Sequence, residues 1–135
     1  MENENLSNNE TFSRRILNIG FLSALIDTVY AGYNIDGNRI YSTGMSNGGF
    51  MSYKLACDIT NKITAIAPVV GSMVPENFDN CIPDRAIPLM AFNGTADPVT
   101  AYRGLGVLGT EMTKPIDEVI ELWTNLNDCD STYMD

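Results

Sequence analysis

Apolar residues recur at helical spacing in three stretches of the chain. Between 12 and 33 they follow one another at intervals of three and four residues, which predicts an amphipathic helix. A shorter helix is predicted over 48–57. A last helix is predicted to start at Pro115, because proline is favoured in the first turn and apolar residues then share one face. That face carries Ile116, Val119, Ile120, Trp123 and Leu126.

Three other stretches have the pattern of strands. Residues 39–43 are short, β-branched and aromatic and end beside a glycine, whereas 63–70 and 87–92 are nearly continuous apolar runs. Continuous runs of this length are typical of strands buried in a parallel sheet. The connections are predicted to be a turn over 35–38 and loops over 71–84 and 93–98. Strands that alternate with helices predict an α/β fold, a parallel sheet with flanking helices.

The polar N-terminus sets the predicted domain boundaries. Residues 1–11 are rich in Asn and Glu, so we predict a disordered tail there and one domain over 12–135. This acidic start lacks the basic-then-apolar order of a signal peptide. No apolar run reaches the roughly 20 residues that span a bilayer.

Charge and missing residue types exclude several functions. The formal net charge of −9 argues against nucleic acid or anionic membranes as partners, because both bind clustered Lys and Arg. The chain contains no histidine, which excludes histidine-based zinc sites and a histidine base from its own residues. Residues 104–109 match G-x-G-x-x-G, but no strand precedes them, so a glycine-rich surface loop is predicted rather than a dinucleotide site. No metal or cofactor is predicted.

The three cysteines leave two interpretations open. They form no C-x-x-C pair, so a metal knot is not expected. All three thiols could be free or buried. Alternatively, one disulfide forms, and Cys57 with Cys81 is then the most plausible pair.

The strongest candidate for chemistry is Ser46. It is the serine of a G-x-S-x-G motif at 44–48, placed directly between a predicted strand and a predicted helix. A serine at such a tight turn has its Oγ pushed out at the end of the sheet, and the helix N-terminus that follows favours developing negative charge. We therefore predict a nucleophile elbow, with the backbone N–H of Asn47 forming part of an oxyanion hole.

Asp97 is the candidate acid. It follows the predicted strand 87–92, and in a parallel sheet the loops at the carboxyl ends of the strands gather along one edge. Ser46 and Asp97 can therefore face the same crevice. Serine before aspartate is the order found in α/β hydrolases, in which histidine comes last.

Several segments together resemble the polyhydroxybutyrate depolymerase and feruloyl esterase group of α/β hydrolases. The most specific is Gly-Met-Ser-Asn-Gly-Gly at 44–49. The resemblance also rests on 20–27, 33–36, 39–41, 55–57, 65–69, 94–98, 122–123 and Cys129. It covers about 19–130 and implies a partial α/β-hydrolase fold.

The resemblance implies a secreted or periplasmic serine esterase that acts on an ester substrate through an acyl-enzyme. Ser46 resembles the nucleophile, Asp97 the triad acid, and Asn47 the residue that donates an oxyanion-hole N–H. Cys57 and Cys81 lie where members of the group often have cysteines. Cys129 resembles a cysteine whose partner is further C-terminal.

The chain also departs from the group. The group has further strands and a His-Gly-rich loop before this region and a catalytic His after it, and Asn93 stands where a non-catalytic His is common. We therefore expect a central fragment with little turnover on its own. Alternatives are a non-catalytic binding module, or one segment of an enzyme completed by another chain. Open sheet edges are expected to invite self-association.

Overall fold

The computed structural model describes residues 19–130. The predicted tail over 1–11, the first part of the helix predicted from 12, and the last five residues lie outside this range. Helix α1 spans Ile19–Gly32, and a 3-10 turn spans Gly37–Arg39. Strand β1 spans Tyr41–Met45 and helix α2 spans Asn47–Asp58. Strand β2 (Ala65–Val69), helix α3 (Pro75–Asp79), strands β3 (Leu105–Val107) and β4 (Thr110–Thr113) and helix α4 (Ile116–Leu126) follow.

The strands β1 and β2 pair in parallel, as the alternation of elements predicted. Tyr41 lies beside Ala65, and the register continues to Met45 beside Val69. The strand predicted over 39–43 begins two residues later, because the Asp36 carboxylate accepts the Asn38 N–H and holds the preceding residues in the 3-10 turn. The described residues thus have the predicted α/β arrangement, with helices flanking a small parallel sheet.

The segment predicted as a strand over 87–92 runs parallel to β2 but forms only isolated bridges, at Leu89 and Phe92. Hydrogen bonds link this segment to β2 on both sides of Pro68. Pro68 has no N–H, so one rung of the ladder is absent and the strand is not continuous. Residues 87–92 nevertheless occupy the place of a third strand beside β2, and we call them the third strand position.

Two loop predictions were wrong. Residues 71–84 contain helix α3, which starts at Pro75, a favoured first position. Residues 104–109 belong to a β-hairpin rather than a plain surface loop. Its turn places Leu108 and Gly109 at φ of 52° and 82°, the two positive angles that a type I′ turn needs to match the strand twist.

The core lies between the sheet and the helices α2 and α4. Tyr53 and Trp123 are almost fully buried, with ring centroids 6.1 Å apart, and the Trp123 indole donates to the Met73 sulfur at 3.4 Å. The Asn127 side chain bonds both the N–H and the C=O of Ile87, at 2.8 and 2.9 Å. The Asn127 amide therefore satisfies the backbone groups at the start of the third strand position, as the backbone of a neighbouring strand would.

Candidate active site

Ser46 occupies a strained turn between β1 and α2. Its φ of 54° and ψ of −115° lie outside the regions that side-chain-bearing residues usually adopt. Its N–H donates to the Val69 carbonyl at 2.9 Å, and its carbonyl accepts the Phe50 N–H at 3.1 Å. Its side chain makes no capping hydrogen bond to α2. The neighbouring strand and helix therefore fix the backbone, while the half-buried hydroxyl does not serve as the helix cap.

A close approach of glycines makes this turn possible. A Cβ on Gly44 would lie 2.7 Å from the backbone of Gly48, whereas a Cβ on Gly48 would meet nothing within 4 Å. A second pair, Gly49 and Gly71, brings the start of α2 against the end of β2, since a Cβ on Gly71 would lie 2.8 Å from Gly49. Sequence reasoning missed this second pair, because only the contact between distant segments distinguishes it.

A second strained residue lies next to Ser46. Val70 has a φ of 43°, which is a genuine outlier for a β-branched residue, and its N–H donates to the Phe92 carbonyl at 2.7 Å. Strained backbone concentrates at functional sites, where the surrounding structure has to maintain it. No pattern in the sequence marks Val70, because valine ordinarily avoids this conformation.

Asn47 is the first residue of α2 and its side chain is exposed. The first N–H groups of an α-helix have no acceptor within the helix and carry the positive end of its dipole. This end of α2 therefore offers backbone donors beside the Ser46 turn.

Asp97 lies in the loop that follows the third strand position. Its Oδ1 accepts the N–H groups of Val99 and Thr100 at 2.8 and 2.9 Å, and its own N–H donates to Gly94 at 3.2 Å. These bonds use one carboxylate oxygen and hold the half-buried side chain in a defined turn. The Asn93 side chain donates to the Gly71 carbonyl at 3.0 Å and ties the start of this loop to the end of β2.

The structure brings the candidate residues to one edge of the sheet. Met45, Val69 and Phe92 lie side by side at the carboxyl ends of the three strand positions. Ser46 follows the first of them directly, and Asp97 follows the third by five residues. Both leave the sheet at the edge where ligands bind in open α/β sheets.

The remaining site expectations concern cysteines and metals. Cys57 and Cys81 are joined by a disulfide in the structure, whereas Cys129 is free and exposed. Within 19–130, no group of three or more metal-ligating side chains is arranged around a common point. No helix in this range is long and apolar enough to cross a membrane.

The known proteins most informative for this chain are esterases. No protein-family model matches the chain. Feruloyl esterase B of Piromyces equi is 34% identical over 102 residues, which are 70% of this chain and 19% of that protein. The bifunctional acetylxylan esterase/xylanase XynS20E of Neocallimastix patriciarum is 37% identical over 83 residues, 62% of this chain and 12% of that protein. The chain therefore spans a fifth or less of the length of these two relatives.

A solved structure of a thermostable esterase superposes with a TM-score of 0.54 at 26% identity, over 78% of this chain and 24% of that one. The sequence comparisons and the structural comparison thus both point to esterases. The chain is similar in sequence and structure to the esterase group of α/β hydrolases and carries part of their fold.

Proposed function

We propose that this chain is the nucleophile-bearing part of a serine carboxylic ester hydrolase, of the feruloyl esterase and polyhydroxybutyrate depolymerase type. One observation carries the proposal: Ser46 has a positive φ at the turn between β1 and α2, and its side chain makes no capping bond. A serine used only as a helix cap would place its oxygen on the first N–H groups of the helix.

The proposal gives each of these residues a role. Ser46 Oγ attacks the ester carbonyl carbon while a base takes its proton, and the Asn47 N–H stabilises the resulting oxyanion. Collapse of this intermediate breaks the bond to the alcohol, which leaves with the proton from the base. Water then hydrolyses the acyl-enzyme by the same route. Asp97 would orient the base and stabilise its charged form.

The base has to come from outside this sequence, which contains no histidine. Loss of one triad member lowers the rate by about 10⁴- to 10⁶-fold, so the chain alone is proposed to be nearly inactive. A further segment or a second chain would supply the imidazole. The disulfide between Cys57 and Cys81 supports a secreted or periplasmic location, since such bonds persist in oxidising compartments.

Chemical rescue tests the proposal. The chain is incubated with a fluorophosphonate probe, with and without a high concentration of imidazole, and its intact mass is measured. We expect slow labelling that imidazole accelerates, because the added base replaces the missing one. Ser46→Ala should abolish the labelling, while Ser23→Ala on α1 should leave it unchanged. Labelling that persists in Ser46→Ala, or that imidazole does not accelerate, would contradict the nucleophile assignment.

A second function is favoured by the absence of histidine. The chain would then be a non-catalytic binding module in which the turn around Ser46 has only a structural role. Stoichiometric binding of a partner, measured by calorimetry and unchanged in Ser46→Ala, would support this alternative over the enzymatic one.

A further inference from the structure

A short segment at the end of β2 contacts both parts of the candidate active site. We call residues 69–71 the bridge segment. Its first carbonyl, that of Val69, accepts the Ser46 N–H at 2.9 Å. Its last residue approaches the first turn of α2 so closely that a Cβ on Gly71 would lie 2.8 Å from the backbone of Gly49. On this side, the bridge segment therefore contacts the turn that carries the nucleophile.

On its other side, the bridge segment contacts the start of the loop that contains Asp97, which we call the acid loop. The Val70 N–H donates to the Phe92 carbonyl at 2.7 Å. The Asn93 side-chain amide donates to the Gly71 carbonyl at 3.0 Å. The first bond joins two backbone groups, so Asn93 supplies the side chain on which this contact depends.

The path from Asn93 to the carboxylate is short. Only three residues separate Asn93 from Asp97. The Asp97 N–H donates to the Gly94 carbonyl at 3.2 Å, which closes a tight turn directly after Asn93. Beyond this turn, Asp97 Oδ1 accepts the N–H of the buried Thr100 at 2.9 Å. The acid loop is therefore anchored at one end through Thr100 and at the other through Asn93.

The bridge segment needs its contacts to keep its shape. Val70 has a φ of 43°, a conformation that β-branched residues avoid. Such strain persists only where the surrounding structure holds it. The hydrogen bonds to Ser46, Phe92 and Asn93 supply that support. Without the Asn93 bond, Val70 can relax and carry the Val69 carbonyl away from the Ser46 N–H.

We propose that Asn93 is a positioning residue of the candidate active site: through the bridge segment it fixes the acid loop relative to the turn that carries Ser46. Asn93 acts through Asp97, whose carboxylate it holds in place so that a base bound there meets the Ser46 hydroxyl. Displacements of about 1 Å between reacting groups can lower rates by about 100-fold. This role rests on the proposed function, whereas the coupling between the acid loop and the Ser46 turn can be measured without any chemistry.

Amide hydrogen exchange, followed by NMR, tests the coupling in Asn93→Ala. The reporters are the Ser46 N–H, which is bonded to the bridge segment, and the Thr100 N–H, which is bonded to the acid. Loss of one neutral hydrogen bond should speed the exchange of both by about two- to tenfold. The Ile66 N–H, which is bonded to the third strand position near the opposite edge of the sheet, should keep its exchange rate.

Asn127→Ala is the matched control. The Asn127 side chain also bonds to backbone groups, at 2.8 and 2.9 Å, but at the other end of the third strand position. This variant should leave the exchange of Ser46 and Thr100 unchanged. If Asn93→Ala speeds neither reporter, or only one, the coupling is refuted. Equal acceleration of both reporters in the two variants would also refute it, because it would indicate a general loss of stability.

Fluorophosphonate labelling with imidazole tests the positioning role. Asn93→Ala should lower the acceleration by imidazole about two- to tenfold, and this ratio of two rates is unaffected by the folded fraction, which changes both equally. In an Asp97→Ala background the same substitution should have little further effect, because Asn93 acts through Asp97. Unchanged acceleration in Asn93→Ala, or the same loss in both backgrounds, would overturn the positioning role alone. Absence of acceleration in the unsubstituted chain would instead overturn the proposed function, and the positioning role with it.

Discussion

The two glycines of the G-x-S-x-G motif should respond oppositely to alanine. Neither Gly44 nor Gly48 has a positive φ, so the backbone conformation tolerates alanine at both. A Cβ on Gly44, however, would lie 2.7 Å from the Gly48 backbone, whereas ordinary contacts begin near 3.4 Å. The first turn of α2 would have to move by about 0.7 Å, and backbone cannot rotate away as a flexible side chain can.

This displacement sets the expected magnitude. Overpacking of this kind costs about 1–3 kcal/mol. Alanine at Gly48 meets no atom and favours the helix over the unfolded chain, so it should stabilise the protein by up to about 1 kcal/mol. The free energies of unfolding of the two variants should therefore differ by about 1–4 kcal/mol, or roughly 4–16 °C in Tm.

Urea and thermal unfolding provide the assay. Trp123 is the single tryptophan of the sequence and is buried, so its fluorescence reports loss of the core, and circular dichroism provides an independent probe. Equal destabilisation in Gly44→Ala and Gly48→Ala would refute the reasoning. It would mean that the second glycine is needed for a reason other than space.

Three further changes should affect stability in distinct ways. Replacing Cys57 and Cys81 by alanine should cost about 3 kcal/mol in urea unfolding, because the unfolded chain loses a cross-link, and a reductant should then have no further effect. Burial raises the pKa of Tyr53, so its contribution to the free energy of unfolding is complete below the unfolded value of about 10 and is lost as the pH rises above it. The Tyr53→Phe variant should show a smaller loss of stability above pH 10, and an unchanged decline would contradict this. Asn127→Ala should cost about 1–3 kcal/mol by leaving two strand backbone groups unbonded, whereas Asn125→Ala on the exposed side of α4 should change little.

Local patterns were enough to predict most regular elements. The predicted helix over 48–57 is present and one residue longer at each end, because Asn47 and Asp58 also adopt helical geometry. The predicted helix near Pro115 runs over Ile116–Leu126, with Ile116, Val119 and Trp123 buried as its spacing indicated. In both cases the spacing of apolar residues within one short segment was enough to predict the helix.

Elements that depend on distant partners were harder to predict. The third strand position breaks into bridges because Pro68, on the neighbouring strand, lacks the N–H for one rung. The hairpin around Gly109 depends on positive φ at Leu108, for which leucine gives no signal. Such features require knowledge of what lies beside the segment.

The same division applies to the site. The motif around Ser46 could be recognised in the sequence, because a tight strand-to-helix turn needs specific residues at adjacent positions. The order of Ser46 and Asp97 along the chain could be read from the sequence directly. The Gly49–Gly71 contact, the strained Val70 and the Asn93 bond to Gly71 arise only when β2 lies between the other strand positions. Adjacent residues encode local conformation, but close approach of distant backbones is decided by packing, which only the tertiary structure contains.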